Sequence, residues 1–199
     1  MTSPQSSAQT IIEMRLIAKQ LFAAGVNALS SAVTGPVHLH PRTAQLACLG
    51  AVSRAAFRYC QTVLAPYASL APATSASATE LVARARNAAH LEGPVAIIVG
   101  RTGKGHSNEH HALSFALAIE QSPLQRPWIF LSGATGRRQC RFRSAGAIVD
   151  AGTCSWIWPS GERPRVPSDV SSFLAASGDL LPAGVMSPYS MNVDLIILA

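Results

Sequence analysis

Gly93-Pro-Val-Ala-Ile-Ile-Val-Gly-Arg-Thr-Gly-Lys-Gly-His-Ser-Asn-Glu-His-His111 opens with five consecutive apolar residues, Val95 to Val99. It then breaks at a glycine-rich turn and resumes in a helical pattern. A continuous apolar run after Gly-Pro is what a strand buried on both faces shows. Ser107 or Asn108 is a good helix cap, and Glu109 in the first turn suits the positive end of the helix dipole. The pattern predicts a helix from about Glu109 to Glu120, and Pro127 introduces a second apolar strand over Trp128–Leu131. Strand, turn, helix and strand over 95–131 mark an α/β or α+β domain.

Upstream the periodicity is helical. Apolar residues three and four apart predict a helix over Ala8–Val33, stopped by Gly35-Pro36, and a second over Thr43–Leu64, ended by Pro66. Residues 66–78, built largely from Ala, Ser and Pro, read as a linker. Ser77 or Thr79 caps a third helix through about Leu91. Downstream, short strands are expected at Arg141–Arg143, Ala147–Asp150, Cys154–Trp158 and Val193–Leu198, with a short helix at Asp169–Ala175. The chain reads as a single domain over 1–199. Residues 1–91 form a helical layer, and the helical N-terminal third packs on a mixed sheet formed by the second half, 93–199.

Apolar residues make up 48% of the chain and charged residues 13%, so either a large fraction is buried or a partner covers an apolar face. That composition excludes wholesale disorder. The net charge of +6 is uneven. Residues 100–145 hold seven Lys/Arg against two Asp/Glu, whereas 146–199 hold two against five. A basic strip attracts phosphate, nucleic acid or acidic surfaces, although the preference for arginine over lysine, fourteen to two, also fits codon bias. The four cysteines form no C-x-x-C pair and do not read as a disulfide framework. Glu13, Arg15 and Lys19 interrupt the first apolar run, so no secretory signal is visible. No apolar segment is long enough for a membrane span. A cytoplasmic protein is the expectation, and one delivered into another cell by a dedicated machine would read the same way.

The turn from Gly100 to His111 is the candidate working surface, because ligands in α/β proteins bind at the carboxyl ends of strands. Gly100, Gly103 and Gly105 permit close backbone approach, and Arg101 and Lys104 add positive charge. A nucleotide-phosphate loop of the G-x-x-x-x-G-K-[ST] kind is excluded: Lys104 comes only four residues after Gly100 and is followed by Gly105. Glu109 shares a helix face with Ala112, Leu113 and Ala116, which turns it inward and makes it a candidate acid–base. Its position as a first-turn acid is the simpler explanation. His106, His110 and His111 fall within six residues, and Cys140 follows the second strand after Arg137-Arg138. Metal binding is possible for such a set, and surface histidines beside a turn are commoner.

This order of elements resembles the zinc-dependent nucleoside and nucleic-acid deaminases over about residues 93–145. In that family a strand runs into a helix carrying a zinc-ligating histidine or cysteine, with a proton-shuttling glutamate two residues later. A Pro-Cys-x-x-Cys start to a later helix completes the site. The resemblance implies that Glu109 is the proton shuttle and that zinc is held among His106, His110, His111 and Cys140. The pattern departs in three places: His106 is three residues before Glu109, Ser107 stands at the ligand position, and Cys140 has no proline before it or cysteine three residues on.

Three functions compete. One is a metal-assisted hydrolase acting on a nucleobase or related amide. Another is a module binding nucleic acid or a phosphate-bearing ligand through Arg101, Lys104, Arg137 and Arg138. The third is a non-catalytic subunit of a larger assembly, with a protein partner or a second copy covering apolar surface such as Leu195–Ala199.

Overall fold

The structure, a computed structural model, describes residues 4–34, 40–60, 62–64, 77–101, 107–136, 144–155, 169–183 and 191–199. It is an α/β fold in three layers, with helices packed on both faces of a mixed six-stranded sheet. In chain order the elements are α1 (Pro4–Thr34), α2 (Pro41–Ala56), β1 (Thr62–Leu64), α3 (Ala78–Ala88), β2 (Val95–Arg101), α4 (Asn108–Glu120) and β3 (Trp128–Ala134). There follow β4 (Ser144–Asp150), α5 (Ala151–Ser155), α6 (Val170–Ala176), β5 (Leu180–Pro182) and β6 (Asn192–Leu198). Among the described residues no helix is long and apolar enough to cross a membrane.

The strand order is β1-β2-β6-β3-β4-β5. β1 pairs parallel with β2, and every other pairing is antiparallel. β2 and β3 both pair antiparallel with β6, so they run the same way, joined through α4. The last strand of the chain inserts between them, with Val99 and Ser132 both opposite Asp194. One edge of the sheet thus gathers the carboxyl ends of β2 and β3 and the amino ends of β4 and β6.

Side chains alternate across each strand, which divides the core in two. Ile98, Leu131, Val193 and Leu195 face α1 and α2. Ile97, Val99, Phe130 and Ile196 face α3 and α4. The expected strand Val193–Leu198 is therefore the buried centre of the sheet. Its apolar character is accounted for inside the molecule and gives no support to a partner-binding tail.

Three expectations are corrected. The second helix does not reach Leu64: it ends at Ala56, and Thr62–Leu64 lie parallel to Val95–Ile97 as an edge strand. Cys60 and Leu64 fit a helical spacing, but β-branched Thr62 and Val63 gain more from pairing with β2. The sheet is accordingly not confined to the second half. Nor does Cys154 begin a strand. The Asp150 carboxylate accepts the Gly152 N–H at 2.7 Å and turns the chain into α5, where Cys154 is buried. Trp156–Trp158 and Arg141–Arg143 lie outside the described residues. Of the expected caps, Ser77 forms a reciprocal capping box with Glu80 and Ser107 caps α4, while Asp169, expected as the first residue of its helix, is instead the cap of α6.

Candidate functional site at the head of the sheet

Arg101 ends β2, Ser132 lies near the end of β3, and Asn192 and Asp194 lie near the start of β6. They share the face that α4 covers, so the first turn of α4 closes over them. All four are buried. The Arg101 guanidinium donates through Nε and Nη2 to the Asp194 carboxylate, and through Nη2 to Asn108 Oδ1 and Ser132 Oγ, each at 3.0 Å. Ser132 Oγ donates to Asp194 Oδ1 at 2.7 Å. Asn108 Nδ2 donates to Asn192 Oδ1 at 3.1 Å, tying the start of α4 to β6.

The local sequence explains why these groups meet here. Ser107 ends the turn by accepting the His110 N–H at 3.3 Å, which starts α4 with Asn108 directly above the strand ends. Gly146 lets β4 pass beneath. Its φ is +150°, and a Cβ there would stand 1.9 Å from the Ser132 carbonyl oxygen and 3.0 Å from Asn108 Cβ, so only glycine fits.

Asp194 is the electrostatic centre. Burial by itself raises its carboxyl, but the contact with His111 and the positive Arg101 guanidinium outweigh burial and hold it below the usual carboxylate range. His111 Nε2 lies 3.3 Å from Asp194 Oδ2, at ion-pair distance but off the line of a hydrogen bond. Its ring meets Phe130 edge-on, with centroids 5.7 Å apart.

The sequence candidates therefore separate. Arg101 and His111 are brought together by Asp194. Glu109 is turned inward as expected and is 5% exposed. Among the described residues no hydrogen bond or ion pair is made to its carboxyl group. His110 points the other way: it is exposed, with Nδ1 2.9 Å from Ser107 Oγ. His106, Lys104, Arg137, Arg138 and Cys140 lie outside the described residues. Among the described residues no three His, Cys, Asp or Glu side chains gather as a metal site. Burial pushes the Cys48 and Cys154 thiols up to about 12, which keeps both protonated at neutral pH.

Asp194, Asn192 and Ser132 escaped the sequence reading. The available signal was Asp194 itself, an acid inside the otherwise apolar run Val193–Leu198, because an acid buried in a central strand needs a partner. Conversely Arg126, one of the cations of the basic strip, has a structural task. It donates to the carbonyls of Leu91 (2.8 Å), Gly93 (2.6 Å) and Ala199 (2.9 Å) at the opposite edge of the sheet.

No family model and no curated protein matches the chain. Two solved structures share its fold. A glycerate kinase from Thermotoga maritima superposes with a TM-score of 0.58 at 22% identity, covering 76% of this chain and 39% of that one. A protein from Pyrococcus horikoshii OT3 superposes with a TM-score of 0.54 at 20% identity, covering 77% of this chain and 38% of that one. The chain thus spans about two fifths of the length of each. At these identities the likeness is one of fold.

Proposed function

We propose that the head of the sheet binds a small anionic hydroxy acid or its phosphate, as part of phosphoryl-transfer chemistry of the glycerate-kinase kind. The observation that carries this reading is the buried Arg101–Asp194 pair locked under the first turn of α4 through Asn108 and His111. A rigid floor of this kind fixes the amino end of α4, whose unpaired N–H groups favour an anion. Arg101 and Ser107 flank the Lys104 turn, and Gly136 and Ser144 flank Arg137–Arg138, so both basic segments start and finish at this edge. In this reading Glu109, buried in the first turn of α4, would accept a hydrogen bond from a ligand hydroxyl. The glycerate kinase of similar fold supports the ligand class. Because the chain spans 39% of that kinase, the property proposed is ligand binding rather than the whole reaction.

Calorimetric titration with glycerate, phosphoglycerate and a phosphate-free nucleoside tests it. Saturable binding of the acids is expected, weakened by added salt and by Lys104→Ala. No binding at millimolar concentration, or equal binding of the nucleoside, would sink the proposal. A second reading is favoured by the burial of Glu109: a zinc-assisted hydrolase of a nucleobase or related amide, with the metal held among His106, His110, His111 and Cys140. It requires stoichiometric zinc in the purified chain, which elemental analysis of the same preparation decides.

A further inference from the structure

α1 buries one face and leaves another bare. Met14, Ala18, Leu21 and Phe22 pack into the core, while Ile12 and Leu16, one turn apart, are 61% and 57% exposed. The other large exposed hydrophobics among the described residues are Phe57 (64%) and Tyr59 (43%), just past the end of α2. Tyr59 Oη donates to Gln20 Oε1 at 3.1 Å, which sets its ring beside the next turn of α1 after Leu16. Ile12, Leu16 and the Gln20–Tyr59 pair therefore form one stripe, about 12 Å long at the rise of an α-helix.

We propose that this stripe is a homodimer interface in which α1 pairs antiparallel with α1 of a second copy of the chain, about a two-fold axis at Leu16. In that register each residue of one helix lies opposite the residue equally far beyond Leu16 in the other. Leu16 meets Leu16. Ile12 meets Gln20 and the Tyr59 ring held against it. Glu13 meets Lys19.

The charges choose this arrangement. α1 carries three charged residues, Glu13, Arg15 and Lys19. Arg15 is taken up by Asp150 and Asp179 inside the molecule. That leaves one exposed acid and one exposed base, three residues on either side of Leu16, a self-complementary pattern of the kind a two-fold interface requires. Parallel pairing would set Glu13 against Glu13 and Lys19 against Lys19. An antiparallel pairing centred on Met14 would bring Ile12 to Leu16 but put Glu13 opposite the committed Arg15. Rim charges of this sort set register more than strength, and the strength comes from the apolar centre. One helix pair with Tyr59 is small beside the roughly 800 Å² per partner of a standard interface, so the dimer is weak and concentration-dependent.

The inference does not rest on the proposed ligand. Its test is sedimentation equilibrium of the full chain from about 1 to 200 μM, a range that brackets a weak interface. The mass is expected to rise from 20.9 kDa towards twice that value. Leu16→Glu should hold the chain at monomer mass with an unchanged circular dichroism spectrum. Glu13→Lys and Lys19→Glu should each weaken association several-fold, and the double exchange should restore it. Under mild oxidation Leu16→Cys should cross-link across the axis, and Ala23→Cys, exposed on the same helix but opposite Gln9, should not. A monomer throughout the range would overturn the proposal and leave the stripe to a different partner. A dimer indifferent to Leu16→Glu, or one cross-linked as readily through Ala23→Cys, would overturn it as well.

Discussion

At the residue scale the chemistry turns on Asp194, which counters Arg101 and touches His111. Asp194→Asn leaves the guanidinium buried without a counter-charge. The expected loss is about 3–5 kcal/mol, read from urea unfolding at pH 7. The pH dependence has a fixed sign. Asp194 titrates below its ordinary value in the folded chain, and near 3.9 when unfolded. Its contribution is therefore complete above about pH 5 and is lost as the pH falls through the folded value. The wild-type urea midpoint should drop across that acid window more steeply than that of Asp194→Asn, and parallel slopes would refute the assignment. Glu109 was legible in the sequence because helical spacing alone set it beside Ala112, Leu113 and Ala116. The pairing of Asp194 and Ser132 with Arg101 was not, because it joins residues 93 and 31 apart and no local pattern links them.

At the element scale, α1 is held to the sheet by more than its apolar face. Arg15 Nη2 donates to Asp179 Oδ1 at 2.6 Å and to the Ile148 carbonyl at 3.1 Å, and Nη1 donates to Asp150. Burial opposes the charge of Arg15, yet the two carboxylates prevail and raise its pKa above the ordinary value. Arg15→Ala removes the only cation paired with Asp150 and Asp179 among the described ion pairs. A loss of about 1–3 kcal/mol is expected, discounted because Arg15 is partly solvated. Hydrogen exchange should rise first in α1 and around α5. Unchanged protection there would show that apolar packing alone seats the helix. The starts of α3 and α4 were readable, since a Ser cap acts within three residues of itself. The start of β1 was not, since three residues become a strand only when Val95–Ile97 lie alongside.

At the scale of the whole molecule, the last strand is the keystone. β6 is the shared partner of β2 and β3 over seven residues each. Deleting 192–199 removes the centre of the sheet together with Asp194. The truncated chain should show no cooperative thermal transition in calorimetry, and a two-state melt near the wild-type temperature would contradict this topology. The mixture of helices with a sheet, the positions of α4, β2 and β3, and the inward turn of Glu109 were determined by the sequence alone, which left α/β and α+β both open. Periodicity, glycine and proline stops and helix caps are short-range physics, complete within a few residues. The insertion of β6 between β2 and β3, the closing of Arg101 on Asp194 and the exposure of Ile12 and Leu16 were decided only by the tertiary structure. Strand partners, counter-charges and solvent exposure depend on what else arrives at the same place, often from the far end of the chain.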